Sequence, residues 1–237
     1  MKRVEEILKF WASQDLANIQ SRESYFEMAF FDIMQQHLQH SRRIMEIGVG
    51  SGRFVKILKE YNIGERHDGI DLMARKKVTS FNLIIGDARR LPVKDNAYDF
   101  TCSLGVVEHF PETDLSTAEH VRITAQNGYI LITTPHLTFD TPFRYLAYFF
   151  HRFFKKDKYV GCTFETVYGR FLTIRHLKTI LERHHCRILA HGAYRPSWHL
   201  LKNFAPRLYR AWDRMFPERH FGSHLFILSR KAASHST

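Results

Sequence analysis

The stretch IMEIGVGSGRF, residues 44–54, sets three glycines at alternate positions, Gly48, Gly50 and Gly52, directly after a short apolar run. RRIMEIG (42–48) reads as a strand ending at the glycines. GRFVKILKEYN (52–62) reads as a helix with Phe54, Ile57 and Leu58 on one stripe. The same alternation continues downstream. DGIDL (68–72) is a second strand, MARKKVTS (73–80) a short helix and FNLIIGD (81–87) a third strand, with ARRLPVKDNA as a loop. YDFTCSLG (98–105) is a fourth strand, residues 106–126 are a helical region interrupted near Pro111, and GYILITTPH (128–136) is a fifth strand. Strands and helices taking turns predict right-handed βαβ units on a parallel sheet, with ligands beyond the strands' carboxyl ends.

Around this centre, residues 4–40 read as two amphipathic helices and 140–156 as an aromatic, basic helix. Residues 173–185 are a helix, 186–194 a strand, 198–216 a helical segment interrupted at Pro206, and SHLFILSRK (223–231) a closing strand. Without an internal repeat, a low-complexity tract or a Pro/Gly/Ser-rich linker, residues 1–237 are expected to form one domain.

Glu46 lies two residues before the first glycine, and the spacing is GxGxG rather than the GxGxxG that receives a pyrophosphate. A carboxylate about 4 Å from a phosphate costs about 4 kcal/mol at an effective dielectric of about 20. The same carboxylate favours a cationic ligand. S-adenosylmethionine carries a sulfonium and an ammonium and no phosphate, so an acid beside the glycines suits it. A glycine turn that merely packs a strand against a helix is the competing reading. Two further acids bear on the choice. Asp71 ends the second strand, where a carboxylate can accept both hydroxyls of a ribose; Asp87 ends the third, where an oxygen can take an adenine amino group beside the Ala88 amide. Taken singly, each acid is more often a cap or turn residue.

On MEIGVGSGRF, GIDL, IIGDARRLP, YDFTCSLGVVEHF and NGYILITTPH, in that order, the chain resembles the class I S-adenosylmethionine-dependent methyltransferases, and within them the type 11, ubiquinone-biosynthesis-like group. The resemblance covers residues 42–136 well and the rest only in general layout. It implies an α/β, Rossmann-like seven-stranded sheet of order 3-2-1-4-5-7-6 with the last strand antiparallel and helices on both sides. A helical cap over 1–40, a cofactor-binding core over 42–136, a substrate-covering insertion over 137–172 and a C-terminal helix and strand pair over 173–237 complete that layout, with a further helical insertion between strands 6 and 7. It further implies that Glu46, Gly48, Gly50 and Gly52 hold the methionine end, Asp71 the ribose, and Asp87 with Ala88 the adenine, with Leu72 also among the cofactor-binding residues. Leu104 would lie near the methionine amine or the transferred methyl.

Methyl transfer asks mainly for placement, because the sulfonium already activates the carbon. A base is needed only for an acceptor that starts protonated. His109, after the fourth strand in GVVEHF, is the first candidate, and His136, after the fifth in TTPH, the second. For each, a loop histidine without a chemical role is the competing reading. Amino methylation of bases usually accompanies an (Asp/Asn/Ser)-Pro-Pro-aromatic tetrad where this chain has SLGV. Thr101-Cys102 lies within a strand, so Cys102 reads as core rather than as a nucleophile. His184-His185-Cys186 lacks a fourth partner at metal-binding spacing, so no metal is expected.

Composition bounds the setting. An apolar fraction of 44% with 25% charged residues is that of a globular domain, and three scattered cysteines argue against a disulfide framework and for a reducing cytoplasm. MKRVEEILKFWASQ has no signal-like apolar core, and no run of 18 apolar residues exists. The net charge of +11 is uneven. Residues 1–140 carry 17 Lys/Arg against 19 Asp/Glu, whereas 141–237 carry 18 against 5 and hold 19 of the 33 aromatics. FRYLAYFFHRFFKKDKYVG (143–161) reads as a lid over an apolar acceptor, an interfacial helix on an anionic membrane, or an ordinary core helix. The charge favours an apolar, anionic, small-molecule or lipid-like acceptor taking the methyl on oxygen or carbon. An RNA methyltransferase using the basic aromatic half is the alternative, and a non-catalytic binding module a third reading.

Overall fold

In a computed structural model, residues 31–73, 81–136, 142, 169–194, 206–215, 222 and 224–233 are described. The decisive strand forms as β1 (Arg43–Ile47), buried at every position after its first. It lies between two parallel neighbours, β2 (Arg66–Asp71) and β4 (Tyr98–Leu104), with Ile47 opposite Ile70 on one side and Ser103 on the other. Burial on both faces explains why apolar residues fill successive rather than alternate positions of β1, with the buried Glu46 the one exception after Arg43.

β3 (Asn82–Ile85), β5 (Thr124–Pro135), β6 (Cys186–Tyr194) and β7 (His224–Lys231) complete a seven-stranded sheet of order β3-β2-β1-β4-β5-β7-β6. β7 runs antiparallel to both β5 and β6, as the family resemblance implies. The strand order reverses direction between β1 and β4. At such a switch point the two loops leave to opposite sides and open a crevice, here at the carboxyl end of β1 where the glycines begin.

Helices cover both faces. On one, α1 (Phe31–Leu38) and α2 (Arg53–Glu60) bury Met34, Leu38, Phe54 and Leu58 against Phe100 and Leu131 of the sheet. On the other, α3 (Thr113–Ile123) and α4 (Ile174–Arg183) bury Val121, Leu177 and Leu181 against Ile130, Ile132 and Ile227. The Thr173 side chain accepts the His176 N–H at 3.1 Å and caps α4. α5 (Pro206–Met215) starts on its proline, whose missing N–H costs nothing there.

Two boundaries differ from the sequence reading. β5 begins at Thr124, four residues before the expected start, because Gln126-Asn127-Gly128 is absorbed into the strand rather than forming a turn. Asn127 takes a left-handed φ of 61°, and the register against β4 shifts between Tyr98 and Phe100. The region after β4 divides at Pro111 into a 3-10 turn, Val107–His109, and α3. The helices expected over 4–30, 73–80 (from 74), 140–156 and 198–205 lie outside the described residues, residue 142 excepted. Among the described residues no helix is long and apolar enough to cross a membrane.

Candidate functional site

A cavity opens at the switch point, and its floor is the turn after β1. The Gly48 and Val49 N–H groups both donate to the Ile70 carbonyl, at 2.8 and 3.1 Å, which staples the turn to the end of β2. The Gly52 N–H closes it on the Val49 carbonyl at 2.8 Å. All three glycines hold left-handed φ values of 72°, 53° and 73°. At Gly48 there is also no space: a β-carbon would run into the Val106 side chain across the turn. Gly48 and Gly50 line the cavity, whereas Gly52 is buried against the Phe81 ring outside it. The motif thus divides between ligand side and packing side.

Glu46 is a cavity wall residue only 5% exposed. Its Oε2 accepts the Val55 N–H at 3.3 Å, in the first turn of α2, which receives no side-chain cap from Gly52. A buried carboxylate is thereby held at a helix amino end, where the unpaired N–H groups favour negative charge. Burial first, and then the charge of Glu46, push the Cys102 thiol well above its usual range. Cys102 is fully buried in the core, as its sequence context suggests, and is no nucleophile.

Asp71 is the last residue of β2. Its Oδ2 accepts the Gly50 N–H at 2.9 Å, and its Oδ1 the Met73 N–H at a long 3.4 Å. One oxygen therefore fixes the glycine turn, and the other is held weakly at the cavity, which Asp71, Leu72 and Met73 line together.

Asp87 is placed differently from its expected role. Gly86 and Ala88 on either side line the cavity, but Asp87 itself does not. Its carboxylate is gripped by Arg89, through the backbone N–H at 2.8 Å and the guanidinium at 2.7 Å. Burial pulls this carboxyl upward, yet the Arg89 hydrogen bonds and charge outweigh it and hold it below the usual range. Arg89 continues to Glu112 at 3.2 Å and stands 5.1 Å over the Phe110 ring. The Asp-x-Arg spacing at 87–89 was the available signal for this chain of charges.

The end of β4 supplies Leu104, Gly105 and Val106 to the cavity, and the 3-10 turn that follows brings His109 and Phe110 to it. His109 is 7% exposed. His136 reaches the same edge of the sheet from β5, where its Nδ1 lies 3.0 Å from the Gly222 carbonyl, but it is not among the cavity's lining residues. Among the described residues no group of histidine, cysteine and carboxylate side chains could hold a metal ion.

Glu108, between Val107 and His109, is a feature that sequence reasoning missed. Its side chain is buried beside Thr134, and burial pushes its carboxyl up to about 8, with its own backbone N–H and the Thr134 hydroxyl offsetting part of the rise. Between the ordinary value of 4.5 and about 8 the folded chain keeps a proton that the unfolded chain has lost. Stability accordingly falls as pH rises through that window. Glu108→Gln is expected to flatten the fall: thermal unfolding midpoints measured from about pH 5 to 8 should vary less than in the native chain, and equal slopes would contradict this assignment.

A family profile described as a methyltransferase domain matches residues 45–132. The chain is 32% identical over 88 residues to the tRNA (carboxymethyluridine(34)-5-O)-methyltransferase of Saccharomyces cerevisiae, covering 35% of this chain and 32% of the relative. It is 29% identical over 98 residues to the malonyl-[acyl-carrier protein] O-methyltransferase of Serratia marcescens, covering 39% and 38%. The match thus spans little more than a third of these curated relatives at most. Among solved structures, the N-methyltransferase NodS from Bradyrhizobium japonicum WM9, in complex with S-adenosyl-L-homocysteine, superposes with a TM-score of 0.60 at 11% identity, over 98% of this chain and 99% of that one. That likeness is one of fold.

Proposed function

We propose, from the premise that residues 45–132 are a methyltransferase domain of the type 11, class I S-adenosylmethionine-dependent group, that this chain transfers a methyl group to oxygen or carbon of an apolar, anionic small-molecule or lipid-like acceptor. The observation that carries the first half is the pairing of Glu46 with the glycine turn and Asp71. A buried carboxylate on the wall disfavours a pyrophosphate and suits a cationic amino-acid end. The donor fits the residues present. Gly48 and Gly50 leave the backbone open at the cavity, and Asp71, anchored by one oxygen to the Gly50 N–H, accepts ribose hydroxyls. Ala88 and Phe110 wall the side where an adenine ring is held, while Asp87 turns its carboxylate to Arg89 outside the cavity lining.

When bound, S-adenosylmethionine supplies a methyl group already activated by its sulfonium. The chain's own residues then align the acceptor and exclude water. His109 takes the proton of an acceptor hydroxyl or acid; His136 remains the second candidate, held at the Gly222 carbonyl. His109→Ala is expected to leave S-adenosylhomocysteine affinity within about threefold while turnover on a protonated acceptor falls by about 10²–10⁴. A parallel loss of affinity would assign His109 to the cofactor instead.

The acceptor class rests on charge. The second part of the chain is basic and aromatic, and on α5 Arg207, Arg210 and Arg214 form one exposed stripe beside Leu208 and Met215, 57% and 64% exposed. Such a pairing suits an apolar anion, and equally the anionic membrane surface at which one resides. RNA is the second reading, favoured by the tRNA-modifying relative. Transfer of labelled methyl from S-adenosylmethionine into total lipid and organic-acid extract, compared with transfer into total tRNA, separates the two. Label in the lipid and acid fraction supports the first reading; label confined to tRNA overturns it.

A further inference from the structure

We infer that Gly169 and Arg170 form a latch that positions the loop carrying His109 and Phe110, with Arg170 a positioning residue for the cavity. Within the loop the His109 N–H donates to the Val106 carbonyl at 3.1 Å and the Phe110 N–H to the Val107 carbonyl at a long 3.4 Å, and Pro111 contributes no donor. Arg170 takes up the carbonyls this leaves outward. Its backbone N–H donates to Glu108 at 3.0 Å, and its Nη2 donates to the Phe110 carbonyl at 2.5 Å, the Pro111 carbonyl at 2.8 Å and the Thr113 hydroxyl at 2.6 Å. One residue therefore engages four groups spread over 108–113. All three side-chain contacts fall on one Nη2, whose two hydrogens are shared among them; the flat guanidinium fixes that nitrogen between the two carbonyls and the hydroxyl, whereas the flexible stem of an ammonium sets no such direction.

Gly169 lets the latch close. It holds a left-handed φ of 71°, and a β-carbon there would run into the Glu108 side chain, which lies buried beneath it. The Thr113 hydroxyl also reaches the Phe110 carbonyl at 3.2 Å, so the guanidinium joins the loop to the first turn of α3. The consequence is local to the cavity. His109 and Phe110 are the two residues of this loop that line it, and the carbonyls on either side of them, from Glu108 and Pro111, are both bound by Arg170. That the cavity holds a methyl donor rests on the methyltransferase reading; the positioning of the loop does not.

The test uses the full chain as native, Arg170→Ala, Arg170→Lys and Gly169→Ala, with two readouts. The first is the ring cross-peak of His109 in carbon-detected NMR correlation spectra, assigned by its loss in His109→Gln, and its titration with pH. The second is S-adenosylhomocysteine affinity by calorimetry. Arg170→Ala is expected to shift or broaden the His109 cross-peak and to weaken binding about tenfold, with Arg170→Lys between it and the native chain. Gly169→Ala is expected to move both readouts in the same direction. An unmoved His109 resonance with native affinity in Arg170→Ala overturns the inference, and so does an Arg170→Lys variant no closer to native than alanine. Should Arg170→Ala fail to fold, the lysine and Gly169→Ala variants decide alone. Absence of S-adenosylhomocysteine binding in the native chain would overturn the methyltransferase reading, while the His109 spectra would still decide the latch.

Discussion

Replacing Asp71 by alanine is expected to weaken S-adenosylhomocysteine binding by about 100-fold or more, with little change in thermal stability. Two losses combine at this residue. Its Oδ2 holds the Gly50 N–H at 2.9 Å, so the substitution frees the middle of the glycine turn and leaves that donor without its acceptor. On the proposed reading the weakly held Oδ1 accepts from ribose hydroxyls, and charge-assisted hydrogen bonds of that kind are about twice as strong as neutral ones. Stability changes little because the side chain is only partly buried and no core cluster depends on it. Asp71→Asn separates the two terms. An amide oxygen can still accept from Gly50, so the turn is retained while the charge is lost, and an intermediate affinity is expected. Calorimetry on the two variants checks both; native affinity in Asp71→Ala would remove Asp71 from the site.

Gly48→Ala is the second large effect. A left-handed φ of 72° costs an alanine about 1–2 kcal/mol, and here its β-carbon would also meet the Val106 side chain. Relief requires Val106 or the turn to move. Val106 itself lines the cavity, so either movement reshapes the place proposed for the cofactor. Affinity for S-adenosylhomocysteine is expected to fall by about 30-fold or more, and the unfolding temperature by a few degrees, on the order of what 1–2 kcal/mol produces in a domain this size. Adding Val106→Ala removes the collision but not the backbone strain, so the double variant should recover part of both losses. Calorimetry and thermal unfolding on the single and double variants check this. Native affinity in Gly48→Ala would mean that the turn does not approach the cofactor.

How far the fold was legible in the sequence depended on how local the deciding physics was. β1, its glycines and α2 are encoded within 42–62, and the structure places each within one or two residues of its expected bounds. Strand–helix alternation predicted the parallel βαβ units, and the family resemblance alone implied the strand order. The start of β5 was misplaced because Asn127 and Gly128 look like a turn locally; they form an irregularity between Thr124, opposite Tyr98, and Tyr129, opposite Phe100, so the strand already begins at Thr124.

The site was legible where backbone position alone mattered. Glu46, Gly48, Gly50, Asp71, Leu72, Ala88, Leu104 and His109 all reach the cavity, because each follows directly from the end of a parallel strand. Side-chain partners were not legible. Asp87 turns to Arg89, Gly52 serves packing against Phe81, and His136 bonds the Gly222 carbonyl, each decided by a neighbour whose direction the sequence does not state. Arg170 was the least accessible, since its partners at 108–113 lie more than fifty positions earlier and are mostly carbonyls, which carry no side-chain signal. Glu46 holds a second role for the same reason: its bond to the Val55 N–H makes it a helix cap as well as a wall of the cavity.

On the proposed reading, the glycine turn with Glu46 and Asp71 is built for a cationic, phosphate-free methyl donor. Side-by-side calorimetry of the native chain with S-adenosylmethionine, S-adenosylhomocysteine and NAD tests it most directly. Saturable one-to-one binding of the first two, with no heat from NAD, is the predicted result; binding of NAD with silence from both S-adenosyl compounds would contradict it.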